Sequence, residues 1–89
     1  MSKAIDVYVI DRDKMLNKYS VKALIKFVEK YHDKGYLNDT FYHSFMQASD
    51  LVKEITLRKM IINSNGVKKE IKEKAAKWLI SRGYSPQLS

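Results

Sequence analysis

A mainly α fold, a small three-helix domain with a short N-terminal β-strand, is what three features of the 89-residue sequence predict. Apolar residues between Asp39 and Ile62 recur at helical intervals. Cap-like residues recur at Ser20, Asn38-Asp39, Lys34-Gly35 and Arg82-Gly83. A β-branched, aromatic run occupies residues 4–10. The length suits one core, because chains of this size bury only about 60–65% of their unfolded surface. Residues 1–89 are therefore read as one small helical domain.

Residues 1–13 are assigned to strand and loop. Ala4-Ile5-Asp6-Val7-Tyr8-Val9-Ile10 is rich in residues that favour a pleated surface. A lone strand needs a partner: a copy of itself across a dimer, a short strand near residues 56–62, or another protein. The polar stretch 11–19 reads as loop. Strand then two helices is also the order of a ribbon-helix-helix dimer. Asp6 and Asp11 would oppose phosphate there, and the long loop and third helix depart from that pattern.

A first helix is predicted over 20–34. Ser20 is its N-cap, and Val21, Leu24, Ile25, Val28 and Tyr31 or His32 form its buried stripe, with Phe27 at the border. Gly35 is expected to end it in the left-handed conformation, with Tyr36 or Leu37 folding back.

The second helix, 39–62, is expected to be the central rod. Phe41, Phe45, Ala48, Val52, Ile55 and Ile62 line one face, Leu51 widens it, and Tyr42, Met46 and Met60 begin another. Asn63-Ser64-Asn65-Gly66 is the clearest turn. A hairpin pairing 55–62 with 67–71 is the alternative there, but the Lys and Glu residues after Val67 favour helix. The third helix, 67–82, places Val67, Ile71, Ala75, Trp78 and Leu79 together, with Glu70–Lys74 and Glu73–Lys77 spaced for surface ion pairs. Arg82-Gly83-Tyr84 repeats the ending chemistry of Lys34-Gly35-Tyr36.

Charge carries the functional signal. Net charge is +7 and the pI about 9.6. Residues 14–34 and 67–89 each carry +4, residues 35–66 are neutral, and residues 1–13 carry −1. Such a balance favours polyanion partners, nucleic acid first, then acidic protein surfaces, then anionic lipid. Lys22, Lys26 and Lys30 in the 20–34 helix, and Lys68, Lys69 and Lys72 in the 67–82 helix, are the candidate phosphate contacts. Arginine is scarce, so contact with the backbone is expected more than base readout. Tyr8, Tyr19, Tyr36, Tyr42 and Tyr84 are candidates for base stacking or, more simply, core edge.

Catalysis is not expected. There is no cysteine, no Gly-rich phosphate loop, no paired-histidine spacing at His32 and His43, and no base beside Ser20, Ser44, Ser49 or Ser64. Asp11-Arg12-Asp13 would need a third carboxylate to hold magnesium. No metal, cofactor, small-molecule substrate or membrane partner is expected. The residues after Met1 do not read as a signal peptide, and a cytoplasmic location is the default.

Two short patterns resemble known families. Gly35-Tyr36-Leu37-Asn38-Asp39, Tyr42, Ile71 and residues 78–85 are similar to the helical modules of RecX, a regulator of RecA filaments; the spacing between the pieces and the N-terminal strand depart from it. Leu37-Asn38-Asp39, Phe45, Ala48, Asp50, Glu54 and Thr56 resemble the middle of Hha-type modulators, which act on a nucleoid-binding partner; the Asp50–Glu54 interval is one residue short and the flanking motif is missing. Each covers less than half the chain, and both imply modulation of a nucleoprotein assembly through protein contacts.

The expected function is thus a small, non-enzymatic basic regulator that contacts DNA or RNA through phosphate and self-associates as a dimer, through the N-terminal strand or the wide apolar surface of the 39–62 helix. The alternative is a protein-binding inhibitor or adaptor, of phage or plasmid type on size alone, whose basic face meets an acidic protein.

Overall fold

Residues 3–33 fold back on themselves as a helical hairpin, and the described residues that follow pack against that hairpin. The structure, a computed structural model, describes residues 3–86 and the side chains of residues 7–86. Among the described residues there are five helices: α1 (Lys3–Asn17), α2 (Val21–Asp33), α3 (Asp39–Gln47), α4 (Asp50–Ile62) and α5 (Lys69–Ser81).

The mainly helical class holds, but the N-terminal strand does not. Residues 4–10 lie in the first half of α1, and most of the expected loop lies in its second half; residues 1 and 2 of that segment fall outside the described residues. Tertiary contacts override strand propensity here. Tyr8, Met15 and Leu16 fall on one helical face. Met15 and Leu16 are buried, and the Tyr8 ring packs on Phe27, Tyr31 and Tyr36. With residues 3–17 helical, the strand-mediated dimer and the ribbon-helix-helix order are removed, and helical α4 and α5 remove the 55–71 hairpin.

The expected rod over 39–62 is two helices. Ala48 and Ser49 are both extended, with ψ of 157° and 162°. Ser49 then starts α4 by accepting a hydrogen bond from the Val52 amide at 3.3 Å. Breaking the helix lets α3 pack on α2 while α4 packs most extensively on α5 and also on α1 and α2. The bend shifts the buried phase: Leu57, Arg58 and Ile61 go inward, whereas Phe41, Leu51 and Val52 remain exposed. The largest fully buried side chains are Leu16, Leu24, Val28, Tyr31, Leu57, Ile61 and Leu79, so α2 and α4 are the centre.

The caps behave as their chemistry dictates. Ser20 Oγ accepts from the Ala23 amide and Asn38 Oδ1 from the Phe41 amide. At the end of α2, Gly35 has φ +84° and the Tyr36 amide donates to the Tyr31 carbonyl at 2.9 Å. At the end of α5, Gly83 has φ +80° and the Tyr84 amide donates to the Leu79 carbonyl at 2.9 Å, the same motif. The third expected helix starts two residues late, at Lys69, and keeps its Val67, Ala75 and Leu79 face buried.

Candidate functional site

The turn Lys18-Tyr19-Ser20 brings α1 and α2 together as antiparallel neighbours, and a groove runs between them. The turn is tight because Tyr19 adopts φ +54°, an uncommon conformation for an aromatic residue. The cleft encloses about 490 Å³.

Five lysines line it: Lys14 and Lys18 from the α1 side, Lys22, Lys26 and Lys30 from α2. They are spaced by four residues, so within α2 the backbone positions that carry them rise about 6 Å from one lysine to the next. Met15, Phe27 and Tyr31 belong to the same lining as buried apolar side chains. Asp11 is the one carboxylate among the lining residues. It accepts from the Tyr31 hydroxyl and pairs with Lys30 Nζ at 3.1 Å. The Tyr31 hydroxyl, then Lys30, hold the Asp11 carboxyl below its usual range. The same hydrogen bond to Asp11, aided by burial, pushes Tyr31 up to about 12. Lys30 also sits 5.2 Å from the Tyr31 ring centroid, so it is the most committed of the row. Lys14, Lys18, Lys22 and Lys26 form no ion pair among the described residues.

Of the sequence-predicted contacts, Lys22, Lys26 and Lys30 therefore share one groove. Lys68, Lys69 and Lys72 do not line it. Lys68 and Lys69 are exposed at the start of α5, and Lys72 is half-buried one turn later. Asn17 links that start to the cleft end of α1: its Oδ1 accepts from the Lys68 amide at 3.1 Å and its Nδ2 donates to the Gly66 carbonyl at 3.1 Å. Sequence reasoning places Lys18 in one four-residue row with Lys22, Lys26 and Lys30 without counting it as a contact, and leaves Lys14 out, because residues 11–19 read as loop. The signal was present, since the four-residue spacing runs unbroken from Lys14 to Lys30.

The two aspartates of Asp11-Arg12-Asp13 are drawn apart. Asp13 accepts from Ser64 Oγ at 2.6 Å and meets Arg12 at 3.3 Å, fastening the 63–66 turn to α1. His32 stacks on Tyr42, with centroids 3.8 Å apart, and bonds Asp39 at 2.6 Å; this joins α2 to α3. Of the candidate stacking tyrosines, Tyr8 and Tyr36 are in the ring cluster around Tyr31, and Tyr42 is engaged by His32.

A second, apolar concavity of about 170 Å³ lies at the α3–α4 elbow between Phe41, Phe45, Ala48, Val52 and Thr56. No helix of the described residues is long and apolar enough to cross a membrane. No family model matches the chain, and neither a curated protein nor a solved structure is significantly similar to it.

Proposed function

We propose that this chain is a small non-enzymatic regulator that binds nucleic acid through its phosphates in the α1–α2 cleft. The observation that carries the reading is the convergence of five lysines on one groove with a single carboxylate opposing them. A concave wall of like charge concentrates potential and favours a linear polyanion over scattered surface charge. Lysine ammonium groups neutralise phosphates as point charges and release counterions, without demanding a base sequence. Lys14, Lys18, Lys22 and Lys26 are assigned the principal contacts, with Lys30 balanced by Asp11. Lys68, Lys69 and Lys72 are assigned a peripheral role where a longer strand leaves the cleft past the start of α5.

Fluorescence anisotropy of labelled DNA and RNA at two salt concentrations tests this. Micromolar binding is expected at low salt, with a logarithmic salt slope of about −3 for four free lysines on a single strand. Changing Lys14, Lys18, Lys22 and Lys26 together to Gln is expected to abolish it, while Lys68→Gln, Lys69→Gln and Lys72→Gln together weaken it only a few-fold, about one phosphate's worth of slope. The opposite ranking would move the site to α5.

The competing reading, a protein-binding inhibitor or adaptor, has one observation in its favour: the elbow leaves Phe41, Leu51 and Val52 between 39% and 47% exposed beside an apolar groove. A stoichiometric protein complex that survives high salt and is lost on Val52→Ser, in a chain without nucleic-acid affinity, would favour it.

A further inference from the structure

Beyond the cleft, one cluster has no evident structural need. Arg58 of α4 is 8% exposed, yet its Nε and Nη1 make no hydrogen bond among the described residues. Its guanidinium lies between two rings instead, 4.6 Å from the centroid of Tyr19 and 4.6 Å from that of Trp78. Two further cations reach the same rings. Lys74 Nζ lies 4.8 Å from the Tyr19 centroid, and Arg82 lies 4.2 Å from that of Trp78. The result is a ladder of cation, ring, cation, ring, cation.

None of Arg58, Lys74 and Arg82 forms an ion pair among the described residues. The Tyr19 hydroxyl is buried and likewise has no hydrogen-bond partner among the described residues. Burying donors unpaired costs stability that an apolar side chain at position 58 would avoid. Cation–π contacts offset part of that cost for Arg58, the one buried cation of the three, while Lys74 and Arg82 are exposed. The ladder also adjoins the cleft through the backbone. Lys18 and Ser20 line the cleft, while Tyr19 between them, held at φ +54°, places its ring on Arg58.

Resting on the phosphate-binding reading of the cleft, we propose that this ladder is the base-stacking end of the same surface and that the ligand is single-stranded nucleic acid. Arg82 is exposed, and its planar guanidinium, backed by Trp78, offers a base the kind of platform that arginine planes and aromatic rings provide for unpaired nucleotides. A duplex keeps its bases stacked internally and has none to offer. Arg58 acts from behind as a buried positive charge that fixes the two rings, a positioning residue without contact to the strand.

Trp78 is the sole tryptophan, so its fluorescence reports the ladder directly. The experiment titrates the full chain with an oligothymidylate of about twelve nucleotides, with inorganic polyphosphate and with duplex DNA, following Trp78 emission, with binding read separately by competition against a labelled oligonucleotide. The expected result is quenching by oligothymidylate, binding of polyphosphate with little quenching, and a single strand preferred over duplex. Arg82→Lys, an exposed change that keeps the charge and removes the plane, is expected to lose roughly fivefold in affinity for oligothymidylate and to leave polyphosphate within about twofold. Binding of oligothymidylate with Trp78 emission unmoved, or equal quenching by polyphosphate, overturns the ladder proposal and leaves the cleft standing. No binding of any of the three overturns the cleft reading as well.

Discussion

Asp11 opposes the cleft's charge and at the same time fastens its walls. It accepts from Tyr31 of α2 and pairs with Lys30, so it holds α1 to α2 while cancelling part of the lysine field. Asp11→Asn is therefore expected to act in two directions, tightening nucleic-acid binding severalfold at low salt while lowering the thermal midpoint; anisotropy and circular dichroism on one preparation separate the two. The same pair sets two pH limits. Asp11 titrates below its usual value when folded, so its contribution is present above the unfolded pKa near 3.8 and is lost as pH falls through the lower folded one. Tyr31 is raised from 10.0 to about 12, so its contribution is full below pH 10 and disappears as pH rises toward 12. Tyr31→Phe is expected to flatten that alkaline decline relative to the parent chain, as measured by denaturant melts across the interval. An unchanged slope would mean that the Tyr31–Asp11 bond does not form in solution. Nothing in the sequence paired Asp11 with Tyr31, because twenty residues separate them and the strand reading gave Asp11 no helical face.

At the scale of elements, the sequence was legible wherever a local rule decided the backbone. Ser20, Asn38, Gly35 and Gly83 act as caps because each satisfies amides or carbonyls within a few residues of itself. The 39–62 helix failed for the complementary reason. Its apolar spacing continues across Ala48, and only Ser49-Asp50, a strong start signal inside an apparently continuous helix, marked the break. Residues 4–10 failed because strand propensity is local while the backbone follows packing: the Tyr8 ring meets Phe27 and Tyr31 from a helix that leaves Val7 and Ile10 exposed, and no strand lies among the described residues to pair with them. Ser49→Ala is expected to cost about 1 kcal/mol by removing the α4 cap. Gly66→Ala is expected to cost more, about 1–3 kcal/mol, because an added Cβ would lie 2.9 Å from Asp13 Cβ and closer still to its carboxylate. Chemical denaturation measures both. If Gly66→Ala is neutral, the 63–66 turn is not seated on α1 as described.

For the molecule as a whole, the segment charges anticipated an uneven surface, and folding turns one of the two basic segments into a cleft. Residues 14–34 concentrate their charge because the hairpin turns its two halves toward each other. The basic start of α5 stays outside that cleft, tied to it only through Asn17. Which basic segment becomes concave was not readable from composition, since both carry +4; it depends on a turn at Tyr19 whose left-handed backbone no glycine announced. The elbow groove at Phe41 and Val52 likewise arises from the Ser49 break and has no signature in a continuous amphipathic pattern. Amide chemical-shift mapping of the labelled protein, titrated with a short oligothymidylate, tests the central claim most directly. The expected result is a set of shifts concentrated on residues 14–30, joined by Trp78 and Arg82 where the ladder takes a base, with the α3–α4 elbow unmoved. Shifts confined to the elbow or to the start of α5, or no shifts at low salt, would contradict it.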